Sequence, residues 1–129
     1  MSYQGYCITV TEIAALTIGF IFGVGRVGGS GIVVWMLGGV ASGLFLSLIQ
    51  YAKRDYYYPR DHRRLGMRWN LPLMVVFLSV IIVFTATHSE SGVTNVGLAG
   101  AGASVVALAL IVLVWRANKA SLERDGFTW

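Results

Sequence analysis

Charged residues are scarce in this sequence. Only 12% of its 129 residues are charged, about half of the quarter that is typical of soluble domains. The mean hydropathy is correspondingly high, at +0.68. No long polar segment remains that could form a separate soluble domain. The composition therefore predicts one transmembrane domain covering residues 1–129.

Residues that carry chemistry are also few. The only cysteine, Cys7, excludes an internal disulfide and a cysteine-based zinc site. His62 and His88 are predicted on opposite sides of the membrane, and His88 with Glu90 supplies too few ligands for a metal. The glycine-rich segment GVGRVGGSG lacks the GK[ST] of a phosphate-binding loop. We therefore expect no enzyme activity, no catalytic residue, no metal and no cofactor, although bound lipids are compatible with the sequence.

Long apolar runs dominate the chain instead. A membrane-spanning helix needs about 20 residues, and four stretches approach or reach that length: 10–25, 31–51, 71–87 and 96–115. They predict an all-α integral membrane protein with four transmembrane helices arranged as two hairpins. The first stretch contains Glu12 and is followed by Arg26. The alternative is therefore three spans, with a re-entrant or interfacial first segment.

The basic residues are concentrated in one loop, 52–70, which reads AKRDYYYPRDHRRLGMRWN. It has six basic and two acidic residues, so the whole formal net charge of +4 lies there. Short cytoplasmic loops are enriched in lysine and arginine. This loop, the tail 116–129 and the N-terminus are therefore predicted inside, and residues 88–95 outside. We expect a bacterial inner membrane or an organellar inner membrane.

The same loop combines its basic residues with aromatic ones, which favours contact with anionic phospholipids or a partner protein. Nucleic acid is not expected, because the basic patch is confined between apolar segments rather than spread over a soluble surface. The predicted contact residues are Lys53, Arg54, Tyr56, Tyr57, Tyr58, Arg60, Arg63, Arg64, Arg68 and Trp69.

Small residues recur at helical spacing in three of the four stretches. Such faces let helix backbones approach closely in lipid. We therefore expect the first, second and fourth spans to pack tightly, and the third to face lipid or a partner. The predicted packing residues are Ala15, Gly19, Gly23, Gly39, Gly43, Gly97, Gly100, Ala101 and Ser104. These small residues are more numerous than one helix–helix interface within the chain requires. The surplus favours a homo-oligomer or docking to other membrane subunits.

Glu12 is the only acid inside a predicted span, and it has two interpretations. The segment Thr9-Val10-Thr11-Glu12 fits a capping box, in which the glutamate returns to the N-cap amide of a helix beginning at Thr9. Alternatively, an intramembrane carboxylate marks an ion or proton site.

The sequence thus favours a non-catalytic structural or assembly subunit of a larger membrane complex, of respiratory, photosynthetic or secretion type. One alternative is a small homo-oligomeric transporter or channel with Glu12 as its ion or proton site, or a holin-like pore. Another is an inner-membrane component of a conjugation or type IV secretion machine. Such components are similar to this chain in pairing early spans with a basic cytoplasmic stretch.

Overall fold

The computed structural model describes residues 3–26, 30–52, 67–90 and 92–124. Helices are the only regular secondary structure in these ranges. Four of them are long and apolar enough to cross a membrane, which confirms the all-α prediction and the number of candidate spans. The helices are α1 (Tyr3–Arg26), α2 (Ser30–Ala52), α3 (Met67–Thr87), α4 (Val93–Ala117) and the short α5 (Lys119–Arg124).

The first helix starts well before the predicted residue 10 and continues without a break for 24 residues. Thr9 and Thr11 therefore lie inside it, where their hydroxyls donate to the carbonyl oxygens of Gly5 and Cys7 at 2.9 and 2.8 Å. This bonding to the residue four positions earlier is typical of threonine within a helix. The predicted capping box beginning at Thr9 is wrong, because Thr9 does not begin the helix.

α1 is the central helix, since it packs against α2, α3 and α4. One buried cluster joins Tyr6 of α1 to Trp115 of α4 and to Leu122 of α5. We call this end of the bundle the Trp115 end. A second cluster, of Ile21, Ala86 and Val96, closes the other end.

The short α5 was not predicted, and residues 116–124 were expected only as part of a polar tail. The backbone amide of Asn118 donates to the carbonyl oxygens of Val114 and Trp115, both at 3.2 Å, and ends α4. The chain then turns, and Leu122 becomes fully buried in the cluster at the Trp115 end. Burial of this one side chain holds α5 against the bundle.

The α1–α2 interface is antiparallel and is made by glycines. A Cβ placed on Gly19 would lie 2.5 Å from the carbonyl oxygen of Trp35 and 3.2 Å from Cα of Gly39. One turn away, a Cβ on Gly43 would meet Cβ of Ala15 at 3.0 Å. At Gly19 and Gly39 the two backbones approach so closely that no side chain larger than hydrogen fits between them.

The third helix leaves most of its large apolar side chains exposed, which agrees with a surface that faces lipid or a partner, but it also packs against the bundle. It packs against α4 and α1, with Leu78 only 1% exposed and Ile82 lying over Gly100. α2 is the helix with least cover, since among the described residues it packs mainly against α1. A search for small residues on α3 does not predict this contact. The contact is made by the large Ile82 side chain of α3, which lies on a glycine of α4.

We expect Gly19→Ala to lower the stability of the fold by about 1–3 kcal/mol, because the added methyl group overpacks the α1–α2 contact. The measurement is denaturant unfolding of the purified protein in detergent, followed by helical circular dichroism. Gly38→Ala is the matched control, since a Cβ on Gly38 meets nothing within 4 Å. Equal stability of the two variants would contradict the close contact.

Candidate functional site

Glu12 lies on the face of α1 that packs against α2, about 13 Å along the helix from Tyr3. The hydroxyl of Ser47 donates to Glu12 Oε1 at 3.1 Å. Ser47 is buried and Glu12 is partly exposed. The contact joins residues that are 35 positions apart, so it links two helices by a polar bond within their apolar interface.

Gly43 makes room for this carboxylate. A Cβ at Gly43 would lie 2.6 Å from Glu12 Oε2, so the glycine leaves the space that the side chain occupies. The small residues of α2 therefore serve two purposes. Gly39 allows the backbones to cross, and Gly43 with Ser47 accommodates an acid at the interface.

The Glu12–Ser47 pair supports two kinds of chemistry. Polar side chains that hydrogen-bond between transmembrane helices stabilise their association. A carboxylate at membrane depth can also take up a proton or a cation, because its charge is costly in an apolar surrounding. Among the described residues no group of three His, Cys, Asp or Glu side chains lies together.

Two grooves run along the sides of α3. One, of about 350 Å³, lies between α1 and α3 and has polar residues at its Trp115 end, including Cys7, Thr11 and Asn70. The other, of about 520 Å³, lies between α3 and α4 and is lined by apolar side chains alone. Both are open grooves rather than enclosed cavities.

The predicted packing residues fall into two groups. The structure brings together Ala15, Gly19 and Gly23 of α1 with Gly39 and Gly43 of α2. The α4 residues do not join this interface. Gly100 lies beneath Ile82 of α3, Gly97 has open space around it, Ala101 is exposed, and the buried hydroxyl of Ser104 has no described hydrogen-bond partner.

Only the end of the predicted basic loop belongs to the described residues. Arg68 and Trp69 lie in the first turn of α3, both exposed, with Trp69 62% accessible. The other predicted contact residues lie outside the described residues: Lys53, Arg54, Tyr56, Tyr57, Tyr58, Arg60, Arg63 and Arg64.

A polar contact that sequence reasoning missed lies at the opposite end of the bundle. The carbonyl oxygen of Gly25, near the end of α1, accepts hydrogen bonds from the Ser89 hydroxyl and the Glu90 amide, both at 3.0 Å. These bonds satisfy a carbonyl at the end of the helix. They attach α1 to the connection between α3 and α4, and no residue pattern in the sequence marks them.

Comparison with family models, with curated proteins and with solved structures finds no match for this chain. The functional proposal therefore depends on the packing faces and on the site around Glu12.

We expect Ser47→Ala to weaken the fold by about 0.6 kcal/mol, the average for hydrogen bonds between membrane helices. Denaturant unfolding in detergent measures it, and a double-mutant cycle with Glu12→Ala isolates the pairwise energy. Ser79→Ala is the control, because the Ser79 hydroxyl donates within its own helix, to Val75 O at 2.7 Å. A coupling energy of zero would show that the Glu12–Ser47 bond does not stabilise the pair of helices.

Proposed function

We propose that this protein is a non-catalytic structural or assembly subunit of a larger membrane complex. The observation that carries the proposal is a pair of small-residue faces that packing among the described residues leaves uncovered. One is on α2 and the other is on α4. In lipid, helices associate through close packing at such faces.

The face on α4 consists of Gly97 and Ala101, which are four positions apart and share one side of the helix. A Cβ on Gly97 would meet nothing within 4 Å, and Ala101 is exposed. Gly97 is itself half-buried, but the space where its side chain would lie is unoccupied by any described residue. A helix from a partner could approach here as closely as α1 approaches α2.

The face on α2 consists of Gly38 and Ser42, with the same spacing. Gly38 has open space where a side chain would be, and Ser42 is exposed. The neighbouring positions on α2 are large and apolar, with Leu37 63% and Phe45 65% exposed. α2 therefore offers a partner both a close-approach site and an apolar surface around it.

The four helices are proposed to cross the membrane as two hairpins, with both termini and residues 52–70 inside. Exposed Arg68 and Trp69 at the start of α3 support this orientation, because basic and amphipathic aromatic residues concentrate at the cytoplasmic interface. The residues of this loop would contact anionic phospholipids. The membrane would be a bacterial inner membrane or an organellar inner membrane, and the complex respiratory, photosynthetic or of secretion type, including conjugation machines.

The test is purification from the native host in mild detergent, followed by a native gel and mass spectrometry. We expect the wild-type protein in one large band with stoichiometric partners. Gly97→Leu combined with Ala101→Leu should move it to a small band, because bulk on this face prevents close helix packing. Gly38→Leu with Ser42→Leu tests the α2 face in the same way.

Leu98→Phe and Leu44→Phe are the matched controls, because each adds bulk at an exposed position on another side of the same helix, away from the small-residue faces. Both should remain in the large band. A wild-type protein that migrates as a small band containing only this chain would contradict the assembly role and favour a self-assembled pore or transporter.

A second candidate function, a small transporter or channel that uses Glu12, is favoured by one observation. The capping role of Glu12 is excluded by the helix that precedes it, and its carboxylate instead lies within α1, bonded to Ser47 at 3.1 Å. An acid at this depth is typical of ion and proton pathways.

For this second function we expect Glu12→Gln to abolish proton-coupled or cation flux in proteoliposomes, because glutamine keeps the shape but cannot ionise. Ser47→Ala should reduce flux without abolishing it, since the carboxylate remains. Undiminished flux in Glu12→Gln would exclude the transport role and leave Glu12 as a link between helices.

A further inference from the structure

The apolar groove between α3 and α4 runs towards one end of the bundle. Its walls are Leu71 and Val75 on α3, and Leu108, Ala109, Val112 and Leu113 on α4. The two helices are antiparallel, because Ile82 meets Gly100 towards one end while Leu71 shares the groove with Val112 towards the other. The groove therefore runs along the helices towards the Trp115 end.

One helical turn beyond the groove, each helix carries an arginine. Arg68 lies three positions before Leu71 and seven before Val75, so it lies on the same side of α3 as the groove. Arg116 lies four positions after Val112 and three after Leu113, so it continues the same side of α4. The antiparallel register places the two arginines at the same level, one on each side of the groove.

Both arginines are exposed. Among the described residues, neither takes part in an ion pair, whereas Lys119 pairs with Glu123 at 3.9 Å. Two guanidinium groups at the end of an apolar groove form a complementary site for a molecule with an apolar chain and an anionic end. Arginine binds phosphate through paired hydrogen bonds.

We propose that the α3–α4 groove binds an anionic phospholipid, with one acyl chain along the groove and the headgroup phosphate between Arg68 and Arg116. Basic pockets between transmembrane helices on the cytoplasmic side recognise lipid headgroups in this way. The inference rests on the proposed membrane insertion and orientation, but it does not depend on the assembly partners. A helix of another protein would cover the groove walls, but it would leave the two arginines without a matching charge unless it carried an acid.

The test uses the full chain in detergent, with native mass spectrometry after addition of phosphatidylglycerol or phosphatidylcholine. We expect the wild-type protein to bind phosphatidylglycerol preferentially. Arg68→Gln with Arg116→Gln should weaken phosphatidylglycerol binding by about thirtyfold, since each basic residue near an anionic headgroup contributes a factor of about five. Arg68→Lys with Arg116→Lys should retain most of the preference.

Lys119→Gln with Arg124→Gln is the matched control. It removes the same charge from the same end of the molecule, outside the groove, and should leave phosphatidylglycerol binding unchanged. If both double variants lose the same affinity, the effect is general electrostatic attraction and the site is wrong. If neither loses affinity, the site is also wrong.

Ala109→Phe tests the acyl-chain part of the site. Ala109 is exposed in the groove wall, so the ring should fill the groove and reduce binding of both lipids. Ala41→Phe, the same substitution at an exposed position on α2, should not. If Ala109→Phe changes the elution volume of the protein and leaves lipid binding intact, the groove is a protein interface and the proposal is overturned.

Flotation with phosphatidylcholine vesicles separates this proposal from the one it rests on. All variants should float with the vesicles, because the apolar helices are unchanged. Failure of the wild-type protein to float would overturn membrane insertion and the lipid site together. Flotation without a preference for phosphatidylglycerol would overturn the lipid site alone.

Discussion

The fold depends on the close approach of two helix backbones at Gly19 and Gly39. With 3.2 Å between a Cβ built on Gly19 and Cα of Gly39, α1 and α2 gain backbone contact along their crossing, where larger side chains would hold them apart. In lipid, such contact replaces the hydrophobic driving force that is absent between apolar helices. The same proximity brings Ser47 within hydrogen-bonding distance of Glu12. The polar site is therefore a consequence of the glycine contact.

Among the described residues, α2 packs mainly against α1. Most of the remaining surface of α2 is therefore exposed. α1 has the opposite position, with α2, α3 and α4 around it. The chain thus divides into a packed centre and two outer faces with small residues, at Gly38 and Gly97. Arg68 and Arg116 make one end of the α3–α4 groove basic, whereas the walls of the groove are apolar. The proposed contacts with lipid and with other subunits depend on these surfaces.

The number and type of the long helices could be predicted, because runs of about 20 apolar residues have few alternatives in a membrane. The start of α1 could not, since Thr9 and Glu12 fit a helix cap as well as they fit a helix interior. The spacing of the glycines also does not specify which of them pack against another helix. Gly97 and Gly19 both lie in small-residue repeats, but only the structure shows that Gly19 is covered and Gly97 is open. The α5 helix depends on a tertiary contact of Leu122, which local sequence does not encode.

The most direct test of this account is disulfide formation between Ala15→Cys and Gly43→Cys in a Cys7→Ser background, in native membranes. Cβ atoms 3.0 Å apart are near enough to bridge once the helices part by about 0.5–1 Å and the flexible Glu12 side chain turns aside, since disulfides span about 3.5–4.5 Å. We expect an intrachain disulfide, seen as a reducible mobility shift on a gel, and none for Ala15→Cys with Gly38→Cys. Absence of the bridge in the first pair, or a product of dimer size only, would contradict the glycine contact and the arrangement of faces that depends on it.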